Sequence, residues 1–126
     1  MAIVAVSIAP VGVGVSVSPW VARALRVLEG QDRVRYQVGP MFTTLEGDLD
    51  EVLALIRRMH EEMFAAGAQR VSTVIKIDDR RDRVQHMEDK VAAVERRLPA
   101  GGEAGADPGA QAGAEPGFQA GGAGSP

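Results

Sequence analysis

The run Met41-Phe42-Thr43-Thr44-Leu45-Glu46 places a thioether, an aromatic ring, two hydroxyls and a carboxylate within six residues. A flat heteroaromatic ligand is held by such a set: an apolar slot for the ring face and a few aimed donors and acceptors at its edge. Glu46 could accept from a ring amine or offset a cationic ring. Ser7, Ser72 and Thr73, on neighbouring predicted strands, offer further polar contacts. Threonine is also a good strand former, so the pattern alone leaves both readings open.

Other groups point less clearly to chemistry. Asp78-Asp79-Arg80-Arg81-Asp82-Arg83 is the densest charge cluster. Two adjacent carboxylates can hold a cation or move a proton. Alternating signs in a turn more commonly neutralise one another and join neighbouring subunits or fix a loop. Of the two histidines, His60 falls beside an apolar helical stripe and reads as a boundary residue, while His86 reads as a solvated residue at a helix start. Neither has the spacing of a metal site. Gly12-Val13-Gly14 lies between a strand and a helix, but Val17 stands where a dinucleotide loop needs its last glycine. The loop then reads as a flexible connection, or as a small-anion cradle formed by Ser16, Ser18 and the helix amides. Trp20 fits either an interface anchor or a wall beside that loop. No nucleophile–base pair can be assembled, so no catalytic residue and no metal ligand is assigned.

These residues need a scaffold, and the periodicity supplies one. Residues 2–9 alternate Val4, Val6 and Ile8 with Ala5, Ser7 and Ala9, the two-residue repeat of a strand. Ser18-Pro19 reads as a helix start, and Val21, Ala24, Leu25 and Leu28 form one stripe up to Gly30. Residues 33–38 and 42–46 read as a hairpin about Gly39-Pro40. Asp48 caps a second helix with Glu51 three residues on, and Leu49, Val52, Leu53, Ile56, Met59 and Met63 mark its buried side. Val71–Asp78 is a fourth strand, and Val84–Leu98 a last helix with Met87, Val91, Val94 and Leu98 along one side.

The order β-α-β-β-α-β-α gives an α+β, ferredoxin-like sandwich with an extra C-terminal helix. Right-handed crossovers place the first two helices on one sheet face. The other face, with Ile3, Ala5, Ser7, Val74 and Lys76, is left without a cover and favours a partner subunit.

Composition divides the 126 residues in two. Residues 1–98 form the domain. Residues 99–126 are mostly Gly, Ala and Pro and are expected to be a disordered tail, because they bury too little apolar surface to offset ordering entropy. The formal net charge of −3 resides in the tail's Glu103, Asp107 and Glu115, which leaves the domain balanced. A balanced domain lacks the positive excess of a nucleic-acid binder. The absence of cysteine excludes disulfides and thiolate chemistry. With no basic segment before the first apolar run and no span-length apolar stretch, a cytoplasmic protein without membrane contact is expected.

Val6-Ser7-Ile8-Ala9-Pro10-Val11-Gly12, Ser16-Val17-Ser18, Thr43-Thr44-Leu45-Glu46-Gly47-Asp48-Leu49-Asp50-Glu51-Val52 and, above all, Gly67–Asp82 resemble a thiamine-binding family with a ferredoxin-like fold. The resemblance covers residues 2–98. It implies homodimers formed through the sheets, often paired into homotetramers. It also implies binding of thiamine or its hydroxymethylpyrimidine portion with no known reaction and no cofactor. On that basis Met41 or Phe42 is expected against the ring. Ser7, Thr43, Thr44, Ser72 and Thr73 are expected at its polar edge, and Glu46 at an amino group or the thiazolium. The alternative is a structural or regulatory homo-oligomer without a small ligand.

Overall fold

The computed structural model describes residues 1–98; the tail expected to be disordered lies outside the described residues. Four strands and three helices follow in the order β1 (Ala2–Pro10), α1 (Ser18–Glu29), β2 (Arg35–Val38), β3 (Thr43–Gly47), α2 (Leu49–Ala65), β4 (Val71–Asp79) and α3 (Met87–Glu95). The sheet runs β2-β3-β1-β4 with every neighbouring pair antiparallel. The fold is ferredoxin-like, with β1 central as its two largely apolar faces require.

The β1 alternation decides the layers. Ala2, Val4 and Val6 are buried beneath the helices with Leu45 and Tyr36, and α1 adds Ala24, Leu25 and Leu28. From α2 come Val52, Leu55, Ile56, Met59 and Met63. Each buried Val, Leu, Ile or Met among them contributes roughly 1.5–3 kcal/mol on leaving water. Trp20 packs against this core and is partly buried.

Local signals set the helix ends. Asp48 caps α2 by accepting from Glu51 N–H at 3.2 Å. The Glu51 side chain pairs with Arg33 instead of closing a capping box. At the far end Gly67 adopts φ 110°, so that Gly67 N–H reaches Phe64 O and Ala68 N–H reaches Met63 O, both at 3.0 Å. This left-handed stop satisfies carbonyls that the helix would otherwise leave open.

Two expectations shift. Val17, not Ser18, caps α1. Its carbonyl takes Trp20 N–H and Val21 N–H, so Ser18 is already helical and Pro19 stands one place further in. The last helix begins at Met87 rather than Val84, because Asp89 accepts from His86 N–H at 2.9 Å and fixes the start there. Its expected stripe also fails beyond the first residue: Met87 is buried, whereas Val91, Val94 and Leu98 are exposed. No helix among the described residues is long and apolar enough to cross a membrane.

Candidate functional site

The antiparallel register sorts the expected site residues onto two faces. Opposite the helices lie Ile3, Ala5, Ser7 and Ala9 of β1, Thr44 and Glu46 of β3, Arg35 and Gln37 of β2, and Ser72, Val74, Lys76 and Asp78 of β4. Ala5 stands between Thr44 and Lys76, Thr44 faces Gln37, and Ser7 faces Val74. Ser7 and Thr44 are half-buried, and Ser72, opposite Ala9 at the far end, is exposed.

Thr43 and Thr73 fall on the helix-covered side. Thr43 pairs with Val6 and is 8% exposed. Thr73 pairs with Ile8, and its hydroxyl lies 2.7 Å from His60 Nδ1. His60 packs edge-on to Phe64 with ring centres 5.4 Å apart, so its role is to tie α2 to β4. Met41 and Phe42 occupy the β2–β3 turn, where Met41 is largely exposed and Phe42 partly so. The structure therefore brings Ser7, Thr44, Glu46 and Ser72 onto one face and leaves Thr43 and Thr73 on the other.

One end of the open face is occupied. The start of α3 reaches Arg35, Glu46 and Asp78 of the row that Ile3 shares by register, and Glu46 is the centre of the contact. Glu46 is 3% exposed. Its Oε1 accepts from Met87 N–H at 2.7 Å. Its Oε2 lies 2.7 Å from Arg35 Nη1 and 2.8 Å from His86 Nδ1. Burial of a carboxylate is costly unless it is paired and hydrogen-bonded, and here three partners surround it. Arg35 also binds Glu88, and Lys90 binds Asp78. The hydrogen bond from Arg35 holds the Glu88 carboxyl below its usual range, and Lys90 does the same for Asp78. The Arg35 guanidinium is pushed up, first by its hydrogen bond to Glu88 and then by the Glu46 charge.

His86, expected to be solvated, is instead a Glu46 partner with a half-exposed ring. A 40-residue separation hides such a contact from any local pattern. Arg35, Gln37 and Lys76 were legible: two-residue alternation from Glu46 and Ser7 across the hairpin and β4 reaches all three. The middle of the face, Gln37-Thr44-Ala5-Lys76 with Ser7, thus offers an amide, two hydroxyls and an ammonium above a small alanine. None of these four polar side chains hydrogen-bonds to another side chain among the described residues.

Beyond Asp78, which Lys90 holds, four residues of the charge cluster form local pairs. Arg81 bonds Asp79 and Arg80 bonds Asp82 within the turn after β4. A cleft of about 380 Å³ adjoins it, lined by Asp48, Leu49, Asp79, Arg80, Arg81 and Arg83 among others. None of the eight expected ligand residues lines it. The glycine loop after β1 carries Gly12 and Gly14 at positive φ with Val11 and Val15 exposed.

Among known proteins, the family described as thiamine-binding protein matches residues 4–95. A UPF0045 protein of Staphylococcus xylosus is 44% identical over 106 residues, covering 81% of this chain and 99% of that one. The UPF0045 protein YqgV of Bacillus subtilis strain 168 is 42% identical over 102 residues, covering 78% and 98%. The crystal structure of a hypothetical protein from Methanocaldococcus jannaschii superposes with TM-score 0.68 at 38% identity, covering 75% of this chain and 96% of that chain. The matched span runs from β1 to the end of α3 and takes in both the open face and the Glu46 contacts, so the chain belongs to the thiamine-binding protein family.

Proposed function

We propose that this protein binds thiamine or its hydroxymethylpyrimidine portion without transforming it, as a cytoplasmic carrier, sensor or buffer. The observation that carries the reading is the set of uncommitted polar groups on the open face, Ser7, Thr44, Gln37 and Lys76, in a chain of the thiamine-binding family. An aminopyrimidine presents ring nitrogens and an exocyclic amine in one plane, and hydroxyl and amide groups can pair with each. Ala5 leaves room for a ring to lie against the strand. The reading needs no general base and no cofactor.

Charge refines the choice of ligand. Glu46 is engaged by Arg35, His86 and Met87, so it is not free to meet a thiazolium. Lys76 is a cation at the face and disfavours a second one. The pyrimidine end, or a phosphorylated form, is therefore the better fit. Calorimetric titration with hydroxymethylpyrimidine, thiamine and thiamine diphosphate tests this. Saturable binding of at least one is expected, with thiamine itself weaker than hydroxymethylpyrimidine. No heat from any of the three at several temperatures, with no thermal shift, removes the reading.

A homodimer or homotetramer is part of the proposal. Edge strand β4 carries Val74, Ile75 and Ile77 exposed on both of its faces, and an unpaired apolar edge is a template for association. The same edge favours the second reading, a structural or regulatory homo-oligomer with no small ligand. An oligomer in sedimentation analysis with no response to the three compounds selects that reading.

A further inference from the structure

We infer that Glu46 is a positioning residue, the latch that seats α3 across the sheet and thereby builds one wall of the open face. The inference about the wall rests on the ligand reading above; the latch does not.

Helix α3 has little of its own to hold it in place. It is a nine-residue helix, below the length at which a helix holds in water by itself. Its apolar anchorage is Met87, while Val91 and Val94 on the expected stripe are 54% and 61% exposed. What keeps it in place is polar and concentrated at its first turn. Both oxygens of Glu46 are engaged there, Oε1 by the Met87 backbone amide and Oε2 by Arg35 and His86. Two further ties, Arg35–Glu88 and Lys90–Asp78, join exposed partners and are screened by solvent.

Glu46 is the buried member of this set, and it alone contacts the sheet, the preceding loop and the helix together. A charged acceptor with three donors is worth more than neutral pairs, and its loss leaves the Met87 amide and the Arg35 guanidinium without their partner. The carboxylate holds no remaining direct role toward a ligand, because its surroundings are filled by protein donors. Removal of its charge releases α3 as a unit, since few apolar contacts hold the helix after its first turn.

Hydrogen exchange on the full chain, without ligand, tests the latch. In Glu46→Gln the backbone amides of residues 91–95 should exchange at least tenfold faster than in the wild type. Those of Leu28, Leu45, Val52 and Met63 should be unchanged. Unchanged exchange across α3 overturns the latch. If Glu46→Gln accelerates exchange throughout the chain, His86→Ala, which removes one donor and keeps the carboxylate, decides. Faster exchange confined to α3 supports the latch, and none overturns it. Titration of hydroxymethylpyrimidine then tests the wall: affinity should fall several-fold in a variant whose α3 has been released. Full affinity with α3 released overturns the wall alone. If the wild type binds none of hydroxymethylpyrimidine, thiamine and thiamine diphosphate, the ligand reading and the wall fall together, while the exchange data still judge the latch.

Discussion

Helices α2 and α3 look alike as sequence and behave differently as structure. Both carry apolar residues at helical spacing and acidic residues in the first turn. Five residues of α2 are buried in the core, and only Met87 of α3 is buried. The first helix is held by many undirected apolar contacts shared with α1 and the sheet. The second is held by a few directed polar contacts gathered at one end. Loss of one atom group from the first kind of contact lowers the stability of the whole domain, because the core is a single contiguous unit. Loss of one group from the second kind frees a segment and leaves the domain intact. The two faces of the sheet therefore divide the work: one holds the fold, the other holds a removable cover beside uncommitted polar groups.

Truncation on the helix-covered face should cost the most. Leu45 is fully buried between β1 and α2, and Leu45→Ala should lower unfolding stability by roughly 2–5 kcal/mol, the transfer loss plus the cavity left behind. Denaturant unfolding followed by circular dichroism measures it. A loss below 1 kcal/mol would mean that this face is as loosely packed as the α3 attachment, and the contrast would disappear.

That contrast was only half legible in the sequence. The faces of β1, the hairpin, the α2 stripe and its Asp48 and Gly67 ends all follow from local spacing, since each reports a contact or a bond within a few residues. The open face follows as well, because register on an antiparallel sheet is fixed once one face is buried. What local spacing cannot carry is the choice between two buried-looking stripes. Val91 and Val94 recur at the same interval as Ile56 and Met59, yet whether a stripe is covered depends on how much sheet remains when the helix arrives. Thr73 and Glu46 show the same limit at the site. Thr73 is one residue out of phase with Ser72 and so faces His60. Glu46 has the right face, but its partners lie 11 and 40 residues away. A carboxylate that reads as a ligand contact has three protein partners that no local pattern announces.

Acid should loosen the attachment of α3 by a smaller amount. Glu88 is held below its usual carboxylate range chiefly by its hydrogen bond from Arg35, which also faces Glu46 with His86 nearby. Asp78 is lowered by Lys90, with Lys76 and Arg80 adding to the same direction. A carboxyl depressed in the folded state stabilises that state fully above its ordinary value, and the contribution is lost as pH falls through the depressed one. Docking of α3 should therefore be complete near neutrality and weaken below roughly pH 4. For the half-exposed Arg35–Glu88 pair the contribution, after solvent screening, is at most about 1 kcal/mol. Methyl NMR signals of Val91 and Val94 should move over that interval while those of Leu45 and Val52 hold. Signals of α3 that stay fixed down to pH 3 would show that these two ties add nothing to the Glu46 contacts in seating it.

A substitution on the exposed stripe of α3 should cost least. Val94 is 61% exposed, and serine has nearly the same helix propensity as valine, so Val94→Ser isolates what the methyl groups bury. If α3 is held by its first turn, the variant should lie within about 0.5 kcal/mol of the wild type in denaturant unfolding at low protein concentration. The same substitution in Val52, at 0% exposure, removes a core contact and introduces an unpaired hydroxyl. A loss at Val94 that grows with protein concentration would place its methyls in a contact between copies, since association adds to apparent stability by mass action. A loss above 1.5 kcal/mol that is independent of concentration would place them in the fold of the single chain. In that case the apolar stripe, and not Glu46, would be what holds α3 to the sheet.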